Sequence, residues 1–275
     1  MVSIVGIVNC TPDSFSDGDG TISTSHILSR ASRLIDEGVD ILDIGGDSTR
    51  PGSTCVGADT EWARIAPVLE SLAPRVPCSI DTHNHETARR ALDSGAKYIN
   101  DISGNPSLEM VDLIRRYKTS YIAMFNPHGG PHLFGPGLSS SDAIENIARW
   151  MRSLQEKWSA AGLLSSQLIL DPGMGAFVSR DPSVSWTIID RIHEFRSPQG
   201  GILIGCSRKG FLARTGEKHP ADRDEASAVC GAIMAKKLET ATKLFLRVHN
   251  PALQQKMLRE WRGSPSFEEI SGARN

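Results

Sequence analysis

The feature that most constrains the fold is a regular alternation of short apolar runs with longer amphipathic segments. Eight runs rich in Val, Ile and Leu have the length and composition of buried parallel strands, and each is followed by a segment of helical periodicity. The expected strands are residues 4–9, 39–46, 77–81, 96–100, 120–124, 167–171, 201–206 and 243–248. Eight strand–helix units are the number that closes a barrel, so we expect an α/β fold with a single (β/α)8 TIM barrel.

The main alternative is a doubly wound open sheet, which usually has fewer strands and a G-x-G-x-x-G turn after the first strand. No such turn occurs here, and no change of composition marks a domain boundary within the 275 residues. We therefore expect one barrel domain over residues 1–262 and a polar C-terminal tail over 263–275. Among the helices, one is predicted for residues 181–195.

Composition excludes several classes of protein. A net charge of −2 gives no basic surface for nucleic acid or an anionic membrane, and no apolar run is long enough to span a bilayer. The first strand begins almost at the N-terminus, so we expect no signal peptide. The five cysteines are odd in number and show no C-x-x-C spacing, so free thiols and a cytoplasmic location are the simplest expectation.

A long polar loop follows the first strand, from Cys10 to Gly20. It carries three carboxylates, several hydroxyls and one apolar residue, Phe15. The alternative interpretation is a solvated loop without a role. Loops of this length in compact domains are usually functional, so we expect this one to contribute to a site.

Polar residues end seven of the eight strands. In a barrel enzyme the active site lies at the C-terminal ends of the strands, so these residues would share one rim. Helix capping is an open alternative for Asp81, as is turn formation for Asp171, but neither explains the whole set. The strand ends are Asn9, the segment 47–52, Asp81, Asn100 with Asp101, Asp171, the segment 207–209 and the segment 247–249.

Two kinds of chemistry are present on this rim. Acceptors suited to a flat heterocycle with several N–H donors are Asp81, Asn100 and Asp171. Groups suited to a pyrophosphate, with help from a divalent ion such as Mg²⁺, are Asn9, Arg50, Arg247 and His249. Lys209 could face either group.

No group of residues has the spacing of a zinc site. His83 and His85 are expected at the surface rather than as ligands. A metal role for His128 and His132, in a loop rich in Gly and Pro, is the weaker alternative.

Several motifs resemble those of the dihydropteroate synthases, in the family's order. Residues 6–18 are close to the first family signature, and residues 43–52 to the second, with Asp47 where Glu is usual. The shorter motifs are 79–82, 99–104, 170–175, 207–209 and 247–249. The resemblance covers about residues 4 to 260, and its first two motifs are long and specific.

The resemblance implies a (β/α)8 barrel that condenses 6-hydroxymethyl-7,8-dihydropterin diphosphate with p-aminobenzoate, giving 7,8-dihydropteroate and pyrophosphate. It also implies a homodimer, a target of sulfonamides, and loops after the first two strands that extend over the C-terminal face. The implied catalytic residues are Asp81, Lys209, Arg247 and His249. The implied pterin-binding residues are Asp81, Asn100, Met124, Asp171 and Lys209. The implied pyrophosphate-binding residues are Asn9, Thr49, Arg50, Arg247 and His249, with Asn9 also on Mg²⁺. The implied p-aminobenzoate-binding residues are Thr49, Pro51, Ser207 and Lys209.

Two segments depart from the family pattern. After the fifth strand, residues 125–132 replace the usual Met-His-x-x-Gly. Ala176 stands where the family usually has Phe, with Phe177 next. We expect a smaller Ala176 to loosen the p-aminobenzoate pocket or change sulfonamide discrimination.

Two alternatives remain open. A pterin-dependent methyltransferase that works with a corrinoid protein shares the barrel, but it would not be expected to carry the 207–209 and 247–249 motifs. A non-catalytic pterin-binding homologue would not need residues for a leaving group. The segment 222–238, which is rich in Ala, is where we expect the dimer contact.

Overall fold

A computed structural model describes residues 2–11, 23–48, 53–130, 132–133, 135–195, 200–215, 217, 219–238 and 243–261. Thr49, Arg50 and Pro51 lie outside the described residues. So do most of the long loop after the first strand, including Phe15, and the predicted tail.

Eight parallel strands close into one barrel, each hydrogen-bonded to the next and the last to the first. The strands are β1 (Val2–Asn9), β2 (Ile41–Gly45), β3 (Cys78–Asp81), β4 (Tyr98–Asp101), β5 (Ser120–Met124), β6 (Leu168–Asp171), β7 (Ile202–Ile204) and β8 (Leu244–Val248). The helices are α1 (Thr24–Asp36), α2 (Ala58–Leu72), α3 (His85–Asp93), α4 (Leu108–Tyr117), α5 (Ser140–Ala160), α6 (Pro182–Asp190), α7 (Asp224–Lys237) and α8 (Pro251–Trp261). The predicted (β/α)8 barrel is confirmed.

The helix predicted for 181–195 begins as expected, but its predicted end is wrong. α6 ends at Asp190, and a separate 3₁₀ turn follows over Ile192–Phe195. Ile192 and Phe195 are both buried. Their spacing of three residues places them on one side of a 3₁₀ turn, which the α-helical pattern did not anticipate.

Side-chain alternation along the strands separates a packing face from a functional face. Outward residues such as Leu42, Ile80 and Leu246 join the large core beneath the helices. Inside the barrel, a separate apolar layer closes the interior below the rim. Its members are Val5, Ile41, Ile122, Ile169, Leu203 and Phe245, with Tyr98 packed against them.

Two residues further along most strands, the inward positions become polar or charged. Asp43 follows Ile41 in this way, Asn100 follows Tyr98, and Asp171 follows Ile169. The site therefore rests on an apolar floor and opens only toward the C-terminal ends of the strands.

No helix among the described residues is long and apolar enough to cross a membrane.

Candidate active site

A half-buried arginine joins two carboxylates on the rim. Arg247 Nε donates to Asp43 Oδ2 at 2.6 Å, and Arg247 Nη2 donates to Asp81 Oδ2 at 2.7 Å. Asn100 Nδ2 also donates to Asp43 Oδ2, at 3.0 Å. This bond leaves the side-chain oxygen of Asn100, Oδ1, available to accept a hydrogen bond from a ligand.

Sequence reasoning missed Asp43, because it considered only the residues that end strands. Asp43 lies in the middle of β2, where a side chain is functional only if the barrel turns it inward. Its side chain is 1% exposed, and its Oδ1 has no hydrogen-bond partner among the described residues. An acidic residue inside an apolar strand run was the available signal, since such a charge is rarely buried without a partner.

Capping does not explain Asp81. The N-cap of α3 is Asn84, whose side chain accepts from the backbone N–H of Glu86. Burial raises the pKa of Asp81, while the charge of Arg247 opposes that rise and Asp43 adds to it. Asp81 is therefore positioned by the ion pair and not by a helix end.

Asp171 is held by the turn that follows β6. Gly173 N–H donates to Asp171 Oδ1 at 2.8 Å, so turn formation is part of its role. Gly173 has φ +69°, and a Cβ there would lie 2.8 Å from the Phe125 carbonyl oxygen, so only glycine fits. Burial raises the pKa of Asp171 to about 6, against the lowering effects of the Gly173 N–H and of Lys209.

Lys209 faces Asp171 from the other side of the pocket. Its Nζ lies 4.8 Å from the centre of the Phe177 ring. Burial lowers the pKa of Lys209, while the Asp171 carboxylate raises it. The ammonium group thus lies over an aromatic face and is stabilised by the charge of a nearby carboxylate.

The turn after β7 directs Ser207 and Lys209 into the site. Between them, Arg208 has φ +58°, a conformation that costs energy for a residue with a side chain. Two bonds from the Arg208 guanidinium to Asp224, at 2.6 and 2.8 Å, hold the turn. The Arg208 backbone N–H also donates to Ser227 Oγ at 2.9 Å.

His249 lies beside this turn, where several cations meet. Its Nδ1 is 2.9 Å from Ser207 Oγ. Burial lowers the pKa of His249 to about 3, with further lowering from Arg208, Arg247 and Arg30. His249 is therefore neutral at physiological pH, in a region of positive potential that suits an anion.

Arg30 was also missed by sequence reasoning. It lies on α1. From the sequence alone, a cationic residue of a helix that faces a site cannot be told apart from one that faces solvent. Only the folded structure shows that the charge of Arg30 acts on His249.

Known proteins match this chain over most of its length. A family model described as "Pterin binding enzyme" matches residues 5–249. A dihydropteroate synthase of Staphylococcus haemolyticus is 36% identical over 258 residues, which cover 92% of this chain and 91% of that protein. The chain belongs to the dihydropteroate synthase family. A type-2 dihydropteroate synthase of Escherichia coli is 33% identical over 90% of each chain.

Solved structures of the family have the same architecture. The Xanthomonas albilineans dihydropteroate synthase with 4-aminobenzoic acid has a TM-score of 0.84 and 30% identity, over 96% of this chain and 94% of that one. The same enzyme in complex with 7,8-dihydropteroate has a TM-score of 0.80 and 28% identity, over 96% and 94% of the two chains.

The residues predicted from the family resemblance occupy one rim, so far as they are described. Asp81, Asn100, Met124 and Asp171 lie at or next to the ends of β3 to β6, and Ser207, Lys209, Arg247 and His249 lie near or beyond the ends of β7 and β8. Thr49, Arg50 and Pro51, predicted to bind pyrophosphate and p-aminobenzoate, lie outside the described residues. The individual roles of all these residues remain predictions.

Asn9 fits the modest part expected of a family magnesium ligand. It ends β1, is half-buried, and its side-chain amide makes no hydrogen bond to a described residue. One amide oxygen alone would hold Mg²⁺ weakly, but this ion usually takes most of its ligands from substrate phosphates and water. The donor set therefore fits an ion that arrives with a pyrophosphate group.

The departure from the family pattern at Ala176 has a structural counterpart. Ala176 is exposed on a short 3₁₀ turn, and the next residue, Phe177, supplies the ring against Lys209. An aromatic ring is thus present next to Lys209, but it comes from position 177 and not from position 176.

We expect Phe177→Ala to raise the KM for p-aminobenzoate about tenfold, because an aromatic–cation contact in a partly buried site contributes roughly 1–2 kcal/mol. Steady-state kinetics with saturating pterin substrate would measure this. Ala176→Phe is the matched variant. If it changed the constants for p-aminobenzoate and sulfonamide more than Phe177→Ala did, then position 176 would form the pocket, as the sequence predicted.

Proposed function

We propose that this chain catalyses the condensation of 6-hydroxymethyl-7,8-dihydropterin diphosphate with p-aminobenzoate. The products are 7,8-dihydropteroate and pyrophosphate. The observation that carries the proposal is the pairing of two unlike halves on one rim. One half consists of the buried acceptors Asp171 and Asn100. The other, the cationic half, consists of Arg30 and Arg208, whose positive charges act on neutral His249.

The acceptor half suits the pterin. The carbonyl oxygen of Asn100 and the Asp171 carboxylate accept N–H groups of the flat ring, and Met124 at the end of β5 supplies apolar contact. Lys209, fixed against Phe177, borders both the pterin and the p-aminobenzoate, and Ser207 lies on the amine side.

The cationic half suits the leaving group. Breaking the C–O bond of the pterin methylene group sends its electron pair to pyrophosphate, which the cationic half receives. In the tautomer in which Nδ1 accepts from Ser207 Oγ, neutral His249 carries its proton on Nε2 and donates a hydrogen bond from that nitrogen. When bound, Mg²⁺ beside Asn9 would neutralise phosphate charge.

Asp81 acts on the positive charge that develops at the pterin methylene group. Its carboxylate is fixed by Arg247 and cannot turn away, so it stabilises this charge without forming a covalent bond. The amine nitrogen of p-aminobenzoate then forms the new C–N bond and loses one proton to solvent.

Pyrophosphate release tests the proposal. We expect release from the dihydropterin diphosphate, with Mg²⁺ present, only when p-aminobenzoate is added, and one dihydropteroate for each pyrophosphate. Tight pterin binding with no release under either condition would indicate a non-catalytic homologue. Methyl transfer to a corrinoid protein would indicate the methyltransferase alternative.

Arg30 offers a sharper test of the cationic half. We expect Arg30→Met to weaken pyrophosphate binding about tenfold, because one nearby positive charge is lost at a site that is partly shielded from solvent. Arg33→Met, an exposed change on the same helix, is the control. Isothermal titration with Mg²⁺ and pyrophosphate measures both. Equal affinities for the two variants would remove Arg30 from the anion site.

Location and assembly complete the proposal. All five cysteines are free, which supports a reducing compartment such as the cytoplasm. For a homodimer, the half-buried apolar residues Ala226 and Val229 lie on one face of α7, in the segment predicted from the sequence. Sedimentation velocity of the parent and of Val229→Glu tests this contact.

A further inference from the structure

Two loops above the rim bring together side chains that have no place in the reaction described above. Asp47 and Cys55 both lie between β2 and α2, and His132 lies after β5. One potential ligand atom from each lies within 4.8 Å of the others. The Asp47 Oδ2 to His132 Nε2 distance is 2.9 Å.

A second histidine completes the group. His83, in the loop after β3, places its Nε2 3.8 Å from Cys55 Sγ. The rings of His83 and His132 are 6.1 Å apart and meet edge to face. The preceding residue, Thr82, donates to buried Glu61 at 3.0 Å, which anchors this loop. The cluster thus contains one carboxylate, one thiol and two imidazoles.

One carboxylate oxygen of Asp47 lacks a hydrogen-bond donor among the described residues. Its side chain is only 4% exposed, yet its Oδ1 has no hydrogen-bond partner among the described residues. His132, with a side chain that is 16% exposed, contacts the other carboxylate oxygen. A buried carboxylate oxygen without a donor is costly, and a bound cation would satisfy it.

The environment of His132 is also that of a metal ligand. Its other ring nitrogen, Nδ1, lies 3.3 Å from Ser53 Oγ, a contact that orients the ring and leaves Nε2 for the cluster. Cys55 is exposed, so an ion can enter from solvent.

We propose that Asp47, Cys55, His83 and His132 bind one divalent cation of the zinc class. A thiolate with two imidazoles and a carboxylate is a donor set that zinc takes in four-coordinate sites. Magnesium, which prefers oxygen ligands, is a poor match. Binding forms a metal–sulfur bond and releases the thiol proton to solvent. None of the four proposed ligands is among the residues assigned to Mg²⁺ or to the substrates.

Sequence spacing could not reveal this site, because its ligands come from three loops and the barrel alone brings them together. The sequence analysis expected His83 and His85 at the surface. His85 is exposed, whereas His83 is half-buried and faces Cys55. Asp47, where the family usually has Glu, is one of the proposed ligands.

Titration with Co²⁺ tests the proposal directly. Protein stripped with a chelator should bind one equivalent and develop the near-ultraviolet absorption of a thiolate–cobalt bond. Competition with a chromophoric chelator then gives the Zn²⁺ affinity. Losing an outer hydrogen-bond partner already costs about 10- to 100-fold, so His83→Ala or His132→Ala should weaken Zn²⁺ binding at least about 100-fold.

Cys55→Ser should remove the thiolate absorption, since the other four cysteines are buried. His85→Ala, an exposed change two residues from His83, is the matched control and should keep the parent's affinity. Circular dichroism would confirm that each variant is folded. Absence of the thiolate band in the parent, or a Zn²⁺ affinity unchanged by both Cys55→Ser and His132→Ala, would overturn the proposal. None of these readouts depends on the transferase reaction.

Discussion

Replacing Arg247 with methionine should lower the free energy of unfolding by about 3–5 kcal/mol, although the side-chain volume is nearly kept. The variant leaves Asp43 and Asp81 buried without their shared counter-charge. Chemical denaturation would measure this loss. We also expect kcat/KM to fall at least about 100-fold, because Asp81 would no longer be held in position.

Two further variants separate charge from packing. Arg115→Met removes an exposed pair with Asp112 and should cost less than about 1 kcal/mol. Adding Asp43→Asn to Arg247→Met removes one of the two unpaired carboxylate charges and should restore part of the stability. A loss from Arg247→Met as small as that from Arg115→Met would contradict a structural role for the central ion pairs.

Asp171→Asn should change stability and binding in opposite directions. Burial places the pKa of this carboxyl at about 6, well above its ordinary value, so its charge destabilises the folded state at neutral pH. We expect the amide to raise the free energy of unfolding by about 2 kcal/mol at pH 7 and above. Pterin affinity should fall about 10- to 100-fold, because a charged hydrogen bond is lost.

The pH dependence follows from the same shift. The folded protein takes up the proton as the pH falls through about 6, whereas the unfolded chain does so near 4. The advantage of the variant should therefore shrink between pH 7 and pH 4. Parent pterin affinity should also weaken about tenfold from pH 7 to pH 5.

Matched denaturation curves and pterin titrations at several pH values would test both effects. Asp112→Asn, which removes an exposed carboxylate, should change neither. If Asp171→Asn destabilised the protein at every pH, the carboxylate would be a structural group whose hydrogen bond to Gly173 outweighs its burial.

Much of the architecture could be predicted from the sequence, because a buried parallel strand and an amphipathic helix have distinct periods. The barrel was predicted from eight such alternations. The rim residues were found because strand ends in a barrel share one face.

What the sequence could not provide is the register between strands. Asp43 enters the site only because the barrel turns it inward beside Arg247. Arg247 itself was predicted to hold pyrophosphate, and the structure shows its Nε and Nη2 joined to carboxylates. Contacts such as Asp47 with His132 connect loops 85 residues apart, and no local pattern encodes them.

The bond between Arg247 and Asp43 connects residues 204 positions apart, from the last strand to the second. We expect pairing at that distance to form late in folding, when the first and last strands meet. On this order of events Asp43 stays hydrated until the barrel closes. Pairing of β8 would therefore bring Arg247 to Asp43 in the same step that removes water from the Asp43 carboxylate. Losing Arg247 should accordingly speed the opening of the barrel more than it slows the earlier stages of folding.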